Sequence, residues 1–153
     1  MSLINDRLKQ LNIVLPPAPA PAANYVPYVK SNKLIFVSGQ IPIFNDELVT
    51  GKVGKNIEIE DAKTAARLCG LAIVSQLNEA TDLDLDKIKR IVKLGGFVNC
   101  INEFTQQPEI INGASDLMVE VFGDKGKHSR FAVGTNSLPR NVVVEIEAVA
   151  EIH

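Results

Sequence analysis

The stretch Ser129-Arg130-Phe131-Ala132-Val133, followed by Leu138-Pro139 and then Val144-Glu145-Ile146-Glu147-Ala148, decides how this chain is read. It sets one arginine and two glutamates on two β-patterned runs joined by a short turn. Side chains alternate along a strand, so Phe131 and Val133 share one side of the first run, with Arg130, Ala132 and Gly134 on the other. In the second run Val142, Val144, Ile146, Ala148, Ala150 and Ile152 share a face, leaving Val143, Glu145, Glu147, Val149 and Glu151 opposite. With a turn centred on Ser137-Leu138, antiparallel pairing puts Arg130 across from Glu145, both away from the apolar face. Such a pair suits carboxylate binding and water handling. The same spacing also describes an ordinary cross-strand ion pair on a solvated sheet face.

The rest of the chain supplies a matching set of elements. Ser2 can cap a short helix whose stripe is Leu3, Ile4, Leu8 and Leu11. Pro16, Pro17, Pro19 and Pro21 then impose an extended connector, so the main domain is expected over 24–153 and the helix with its connector over 1–23. Tyr25 to Lys30 and Lys33 to Ser38 read as strands around Ser31-Asn32, with Pro27 confining the first to an edge. An irregular hairpin arm is expected over 45–53. From Glu58 to Ala80 the period becomes helical, with Ala62, Ala65, Ala66, Cys69, Ala72, Ile73 and Leu77 on one stripe. Ile88 to Ile101 is strand-like, and Gly95-Gly96 in its middle suggests a bulge. A second helix opens at Pro108 and closes at Gly123.

Two helices with one apolar face each and strands with one apolar face each satisfy one another when both helices cover one side of a single sheet, an α+β fold. Val143, Val149 and Ala132 are expected on the opposite face, which self-association would cover. Composition agrees: 153 residues, 46% hydrophobic, suit one domain of ordinary size. A formal net charge of −2 gives no field toward phosphate backbones or anionic membranes, so nucleic acid is not suggested. No apolar stretch is long enough to span a bilayer, and Asp6, Arg7 and Lys9 interrupt any signal-peptide core, so a soluble cytoplasmic protein is expected. Cys69 and Cys100 have neither the density of a disulfide framework nor the spacing of a zinc site.

Ser-Arg, Leu-Pro and Val-Glu-Ile-Glu-Ala at these separations resemble the C-terminal signature of the Rid family, the reactive intermediate deaminases also known as YjgF-like or L-PSP endoribonuclease-like proteins. Upstream, Leu34-Ile35-Phe36-Val37 running into Ser38-Gly39-Gln40-Ile41-Pro42 is similar to the family's strand ending in Ser-Gly-Gln, and Tyr25 precedes it at the spacing of the family's site tyrosine. The resemblance covers about residues 24 to 152. It implies a chorismate-mutase-like fold assembled as a homotrimer around a central barrel, with ligand sites between subunits.

The resemblance also implies roles. Arg130 would clamp a substrate carboxylate, which a guanidinium does through two parallel donors. Glu145 would orient a water and accept its proton, with Glu147 as the competing assignment. Tyr25, Ser38, Gly39 and the main chain of Ala132 would line the pocket, and Asn112 joins them when four residues around 107 to 110 count as an insertion. The implied activity is a hydrolase of the 2-iminobutanoate/2-iminopropanoate deaminase type, converting 2-aminoacrylate-like imino acids to 2-keto acids and ammonia without a metal or organic cofactor. Two other classes stay open, a ketoacid-binding or sensing protein without useful turnover and an endoribonuclease that restrains translation. Departures are visible as well. Ala132 stands where the family often has cysteine, His128-Ser129 replaces Pro-Ala, and Ser115 stands where an aromatic is expected. His128 is a turn residue that could also touch the ligand.

Overall fold

The computed structural model describes residues 2–21 and 23–153; Met1, ahead of the expected first helix, and Ala22, inside the expected connector, lie outside the described residues. Helix α1, Leu3–Gln10, is capped by Ser2, whose side chain accepts from the Asn5 amide at 3.2 Å. Its free N-terminal amides are satisfied from outside: Leu3 and Ile4 donate to the Asp86 carboxylate at 2.8 and 2.9 Å. Ile4 and Leu8 are buried against the main body. The proline segment that follows lies along the second helix, where its carbonyls accept side-chain donors, Ser75 Oγ to Pro16 O at 2.8 Å and Gln76 Nε2 to Pro19 O at 2.7 Å.

Strand β1, Tyr28–Ser31, turns through Asn32 at positive φ into β2, Leu34–Gln40. Tyr25 and Pro27 precede β1 instead of belonging to it, because proline brings no amide hydrogen to a ladder. Strands β3, Ile43–Phe44, and β4, Glu47–Leu48, form a two-strand arm. Helix α2, Ile59–Ala80, buries its alanine stripe, then β5, Ile88–Asn99, leads to helix α3, Gln107–Phe122, with Pro108 in its first turn. Small residues set the helix crossing: a Cβ at Gly113 would overlap the Lys63 carbonyl, and one at Gly70 would lie 2.9 Å from Leu117 Cδ2. Strands β6, Ser129–Thr135, and β7, Val144–Ile152, complete the chain.

The sheet order is β1-β2-β7-β5-β6, antiparallel throughout except for β5 and β6, which run parallel. The expected β6–β7 hairpin is therefore corrected. The crossover through α3 returns β6 parallel to β5, as a helical connection requires, and the chain then carries β7 back between β2 and β5. Arg130 sits in register with Leu94, whose other neighbour is Ala148, whereas Glu145 sits in register with Phe97.

Two further expectations change. Gly95 and Gly96 keep unbroken register, the irregularities of β5 falling between Ile88 and Lys93 instead. The glycines make room: a Cβ at Gly95 would meet Phe131 at 2.6 Å and Glu147 at 2.9 Å, and one at Gly96 would meet Ile111 at 2.6 Å. The expected open-face residues Val143 and Ala132 are also reassigned. Val143 is fully buried beside the segment 49–53, and Ala132 packs toward the helix-side core. The open face keeps the expected Val149 and carries Val29, Phe36, Phe97, Phe131 and Val133 with it, Phe97 and Phe131 standing edge to face at 5.2 Å. Phe36 is 45% and Phe97 38% exposed, a contiguous apolar surface larger than a solvated sheet needs. No helix among the described residues is long and apolar enough to cross a membrane.

Candidate functional site

One group of expected site residues converges at the end of β2. A bulge between Val37 and Gln40 places Ser38 and Gly39 against a single stretch of β7, re-aiming the strand where a cleft opens. A glycine inside a strand pattern, here Gly39, is a signal for such a bulge, which the sequence had been read as placing at Gly95-Gly96. Ser38 is held on both sides, its amide donating to Pro27 O at 2.9 Å and its hydroxyl to Val26 O at 2.8 Å. This ties the 25–27 segment over the strand and brings Tyr25 to the cleft wall. A Cβ at Gly39 would lie 2.7 Å from Glu145 Oε1, so only glycine leaves the carboxylate its place.

The cleft has a volume of about 230 Å³ and is lined by Tyr25, Ser38, Gly39 and Glu145, by Pro19, Ala20 and Pro21 of the connector, and by Pro139 and Arg140. It is below the usual range for drug-sized ligands, about 300–1,000 Å³, and suits a small metabolite. Burial pushes the Glu145 carboxyl above its ordinary value. Among the described residues it has no hydrogen-bond or ion-pair partner, which leaves it free to accept a proton from a bound molecule. Arg140 was not anticipated. It reaches this wall from a backbone in which Arg140 and Asn141 both take positive φ, 56° and 59°, and Asn99 Nδ2 steadies the turn by donating to Asn141 Oδ1 at 3.3 Å.

The second group gathers between α3 and β6. Arg130 points to the helix side: Nη1 donates to Ser115 Oγ at 3.0 Å and Nη2 to Pro108 O at 3.3 Å. Asn112 lies one turn before Ser115, on the same helix face by the three-residue spacing. Ala132 follows two residues along the same side of β6. Ser115 is in turn 2.9 Å from His128 Nε2, and His128 Nδ1 is 2.6 Å from Gly126 O. From the sequence Ser115 was assigned no role and His128 was read as a turn residue that could touch the ligand; both stood out as departures.

The two groups do not meet within one chain. Arg130 and Glu145 are separated by two strand spacings, about 10 Å, and by three residues along the strand direction, about 10 Å more. They also belong to opposite faces of the sheet, since Arg130 shares its register with buried Leu94 and Ala148 and Glu145 with Phe97. Glu147 lies on the open face beside Gly95. Among the described residues no group of three His, Cys, Asp or Glu side chains is arranged to hold a metal ion. Cys69 is fully buried, and burial, followed by the charge of Glu145, pushes its thiol well above the ordinary value, which disfavours the thiolate.

Comparison with known proteins agrees with this fold. The family model described as "YjgF/chorismate_mutase-like, putative endoribonuclease" matches residues 5–152. Protein TCP17 of Trypanosoma cruzi is 46% identical over 149 residues, 95% of this chain and 92% of the relative. The crystal structure of Atu1372 from Agrobacterium tumefaciens, a protein with unknown function, is 46% identical with a TM-score of 0.91, covering 98% of this chain and 92% of that one. A putative endoribonuclease from Shewanella oneidensis MR-1 is 31% identical with a TM-score of 0.93, covering 97% and 99%. With its sheet, its two helices and nearly its whole length matched, the chain belongs to the YjgF/chorismate-mutase-like family.

Proposed function

We propose that this protein is a Rid-type enamine/imine deaminase that hydrolyses short 2-imino acids to 2-keto acids and ammonia, at a site completed by two copies of the chain. The observation that carries this reading is the separation of a cleft holding an unpaired, half-buried carboxyl, Glu145, from a tethered guanidinium, Arg130. Each is half of what the reaction needs. The exposed aromatic sheet face supplies a surface on which copies can associate, and a homotrimer of the family's kind would bring one copy's Glu145 cleft to its neighbour's Arg130.

In that site Arg130 pairs with the substrate carboxylate through parallel N–H donors. Glu145 takes a proton from a water as its oxygen bonds to the imine carbon. That proton passes to the imine nitrogen to give the carbinolamine; Glu145 then moves the carbinolamine hydroxyl proton to the same nitrogen as the C=O bond forms and the C–N bond breaks, and ammonia leaves a 2-keto acid. The net change is one imine and one water to one ketone and one ammonia. The E. coli protein TdcF, 25% identical with a TM-score of 0.60, was solved with bound serine, an α-amino acid of the size and charge this chemistry requires. A ketoacid-sensing role without turnover is the second reading, favoured by the name of a Lactococcus lactis relative, "Putative regulator AldR", 33% identical over 138 residues. For RNA cleavage there is little support in the chain: net charge is −2, and His128 is engaged at both ring nitrogens.

Subunit complementation tests the two-copy site. Arg130→Ala and Glu145→Gln should each be inactive toward freshly generated 2-iminobutyrate. Co-expressed and randomly mixed, they should regain about a quarter of wild-type activity, because about one interface in four receives both intact halves. Two inactive variants that stay inactive when mixed would rule out the shared site. Ligand binding by wild type with no rate enhancement would select the sensing role.

A further inference from the structure

We propose that Ser115 and His128 are positioning residues that hold the Arg130 guanidinium ready for a carboxylate, an inference that rests on reading Arg130 as the clamp. The geometry is a relay of three hydrogen bonds whose donor and acceptor roles fit one another. Gly126 O can only accept, so the 2.6 Å contact fixes the proton of His128 on Nδ1. In the neutral ring Nε2 is then an acceptor, and the Ser115 hydroxyl donates to it at 2.9 Å. With its proton committed, Ser115 Oγ presents its lone pairs to Arg130 Nη1 at 3.0 Å. A chain of this polarity strengthens each of its bonds.

The anchor of the relay is itself fixed. A Cβ at Gly126 would overlap the Met118 carbonyl, so the turn ending at Gly126 is seated on the backbone of α3, the helix that carries Ser115. Pro108 O, two turns earlier on that helix, accepts from Nη2 at 3.3 Å. The guanidinium is thus held at two nitrogens from one rigid element. Two of its five N–H groups are used, and three have no partner among the described residues. A long, flexible side chain ordered before the ligand arrives loses less freedom on binding, so the relay acts on affinity for the carboxylate and leaves the water step to Glu145.

The test measures 2-ketobutyrate affinity, 2-iminobutyrate kinetics and unfolding midpoint on the full chain. Ser115→Ala and His128→Phe should each raise Kd and KM about 5- to 20-fold while kcat stays within about twofold. Ser115→Thr and His128→Gln, which keep the hydroxyl and an acceptor, should restore most of the affinity, and all four should unfold near the wild-type midpoint. Wild-type Kd in Ser115→Ala would overturn the relay, as would equal loss in Ser115→Ala and Ser115→Thr with a lowered midpoint. Arg130→Ala run in parallel separates the two levels: if it abolishes binding while Ser115→Ala keeps the wild-type Kd, only the relay fails, and if it binds 2-ketobutyrate normally, the clamp assignment fails with it.

Discussion

Glu145 and Arg130, the two charges on which the candidate site turns, are held by different forces. Glu145 is set by burial and by the space that Gly39 leaves, without a partner among the described residues, whereas Arg130 is set by hydrogen bonds to the neutral acceptors Ser115 and Pro108 O. Had they paired directly, as a hairpin would have required, each would have consumed the other's capacity. The guanidinium would have drawn the carboxyl down in pKa, and the carboxylate would have occupied the N–H groups that Arg130 now leaves free. Separation within one chain keeps the carboxyl basic and the guanidinium available.

The largest effect that sharpens this contrast is expected from Glu145→Gln. A neutral amide keeps the shape of the cleft but cannot accept a proton, so kcat should fall about 100-fold or more while 2-ketobutyrate affinity changes little. Glu147→Gln is the control, and equal losses in the two variants would erase the distinction between them. Next is Arg130→Lys, where charge survives but an ammonium lacks the planar pair of parallel donors that binds a carboxylate. Titration with 2-ketobutyrate should register a loss of about 2–3 kcal/mol.

A smaller effect isolates the connector. Gln76→Ala removes the donor to Pro19 O, and urea unfolding should report a loss of about 1 kcal/mol. KM should rise modestly because Pro19 to Pro21 wall the Glu145 cleft, and the Ser115 and Arg130 bonds, which share no partner with Gln76, should be untouched. The smallest effect is a pH dependence of stability. The Glu145 pKa is raised in the folded chain, so between its ordinary 4.5 and its folded value the folded state binds more protons than the unfolded. The cost of burying the ionised carboxyl is absent below that window and complete above it. Wild-type stability should therefore fall, relative to Glu145→Gln, as pH rises through the window; a difference that is flat with pH would mean that Glu145 titrates normally.

Much of this was legible in the residues. The helix stripe from Ala62 to Leu77 and the Pro108-to-Gly123 helix follow from a period that only one local geometry satisfies. Ser38, Gly39 and Tyr25 were readable as one neighbourhood, since they lie on adjacent segments joined by a short turn. The Arg130–Glu145 juxtaposition was misread because nearness in sequence was taken for nearness in the sheet. Residues 136–143 are long enough to carry the chain past β5 instead of turning it back.

By itself, then, the amino-acid order determined the elements, their apolar faces and the residue types able to do chemistry, because these depend on short-range periodicity and side-chain character. Only the tertiary structure decided that β7 lies between β2 and β5, that Arg130 faces α3, and that Ser115 and His128 stand behind it. Those placements come from the crossover of α3 and the close seating of Gly113 and Gly126 on helix backbones, contacts between residues far apart in the chain that no local pattern encodes.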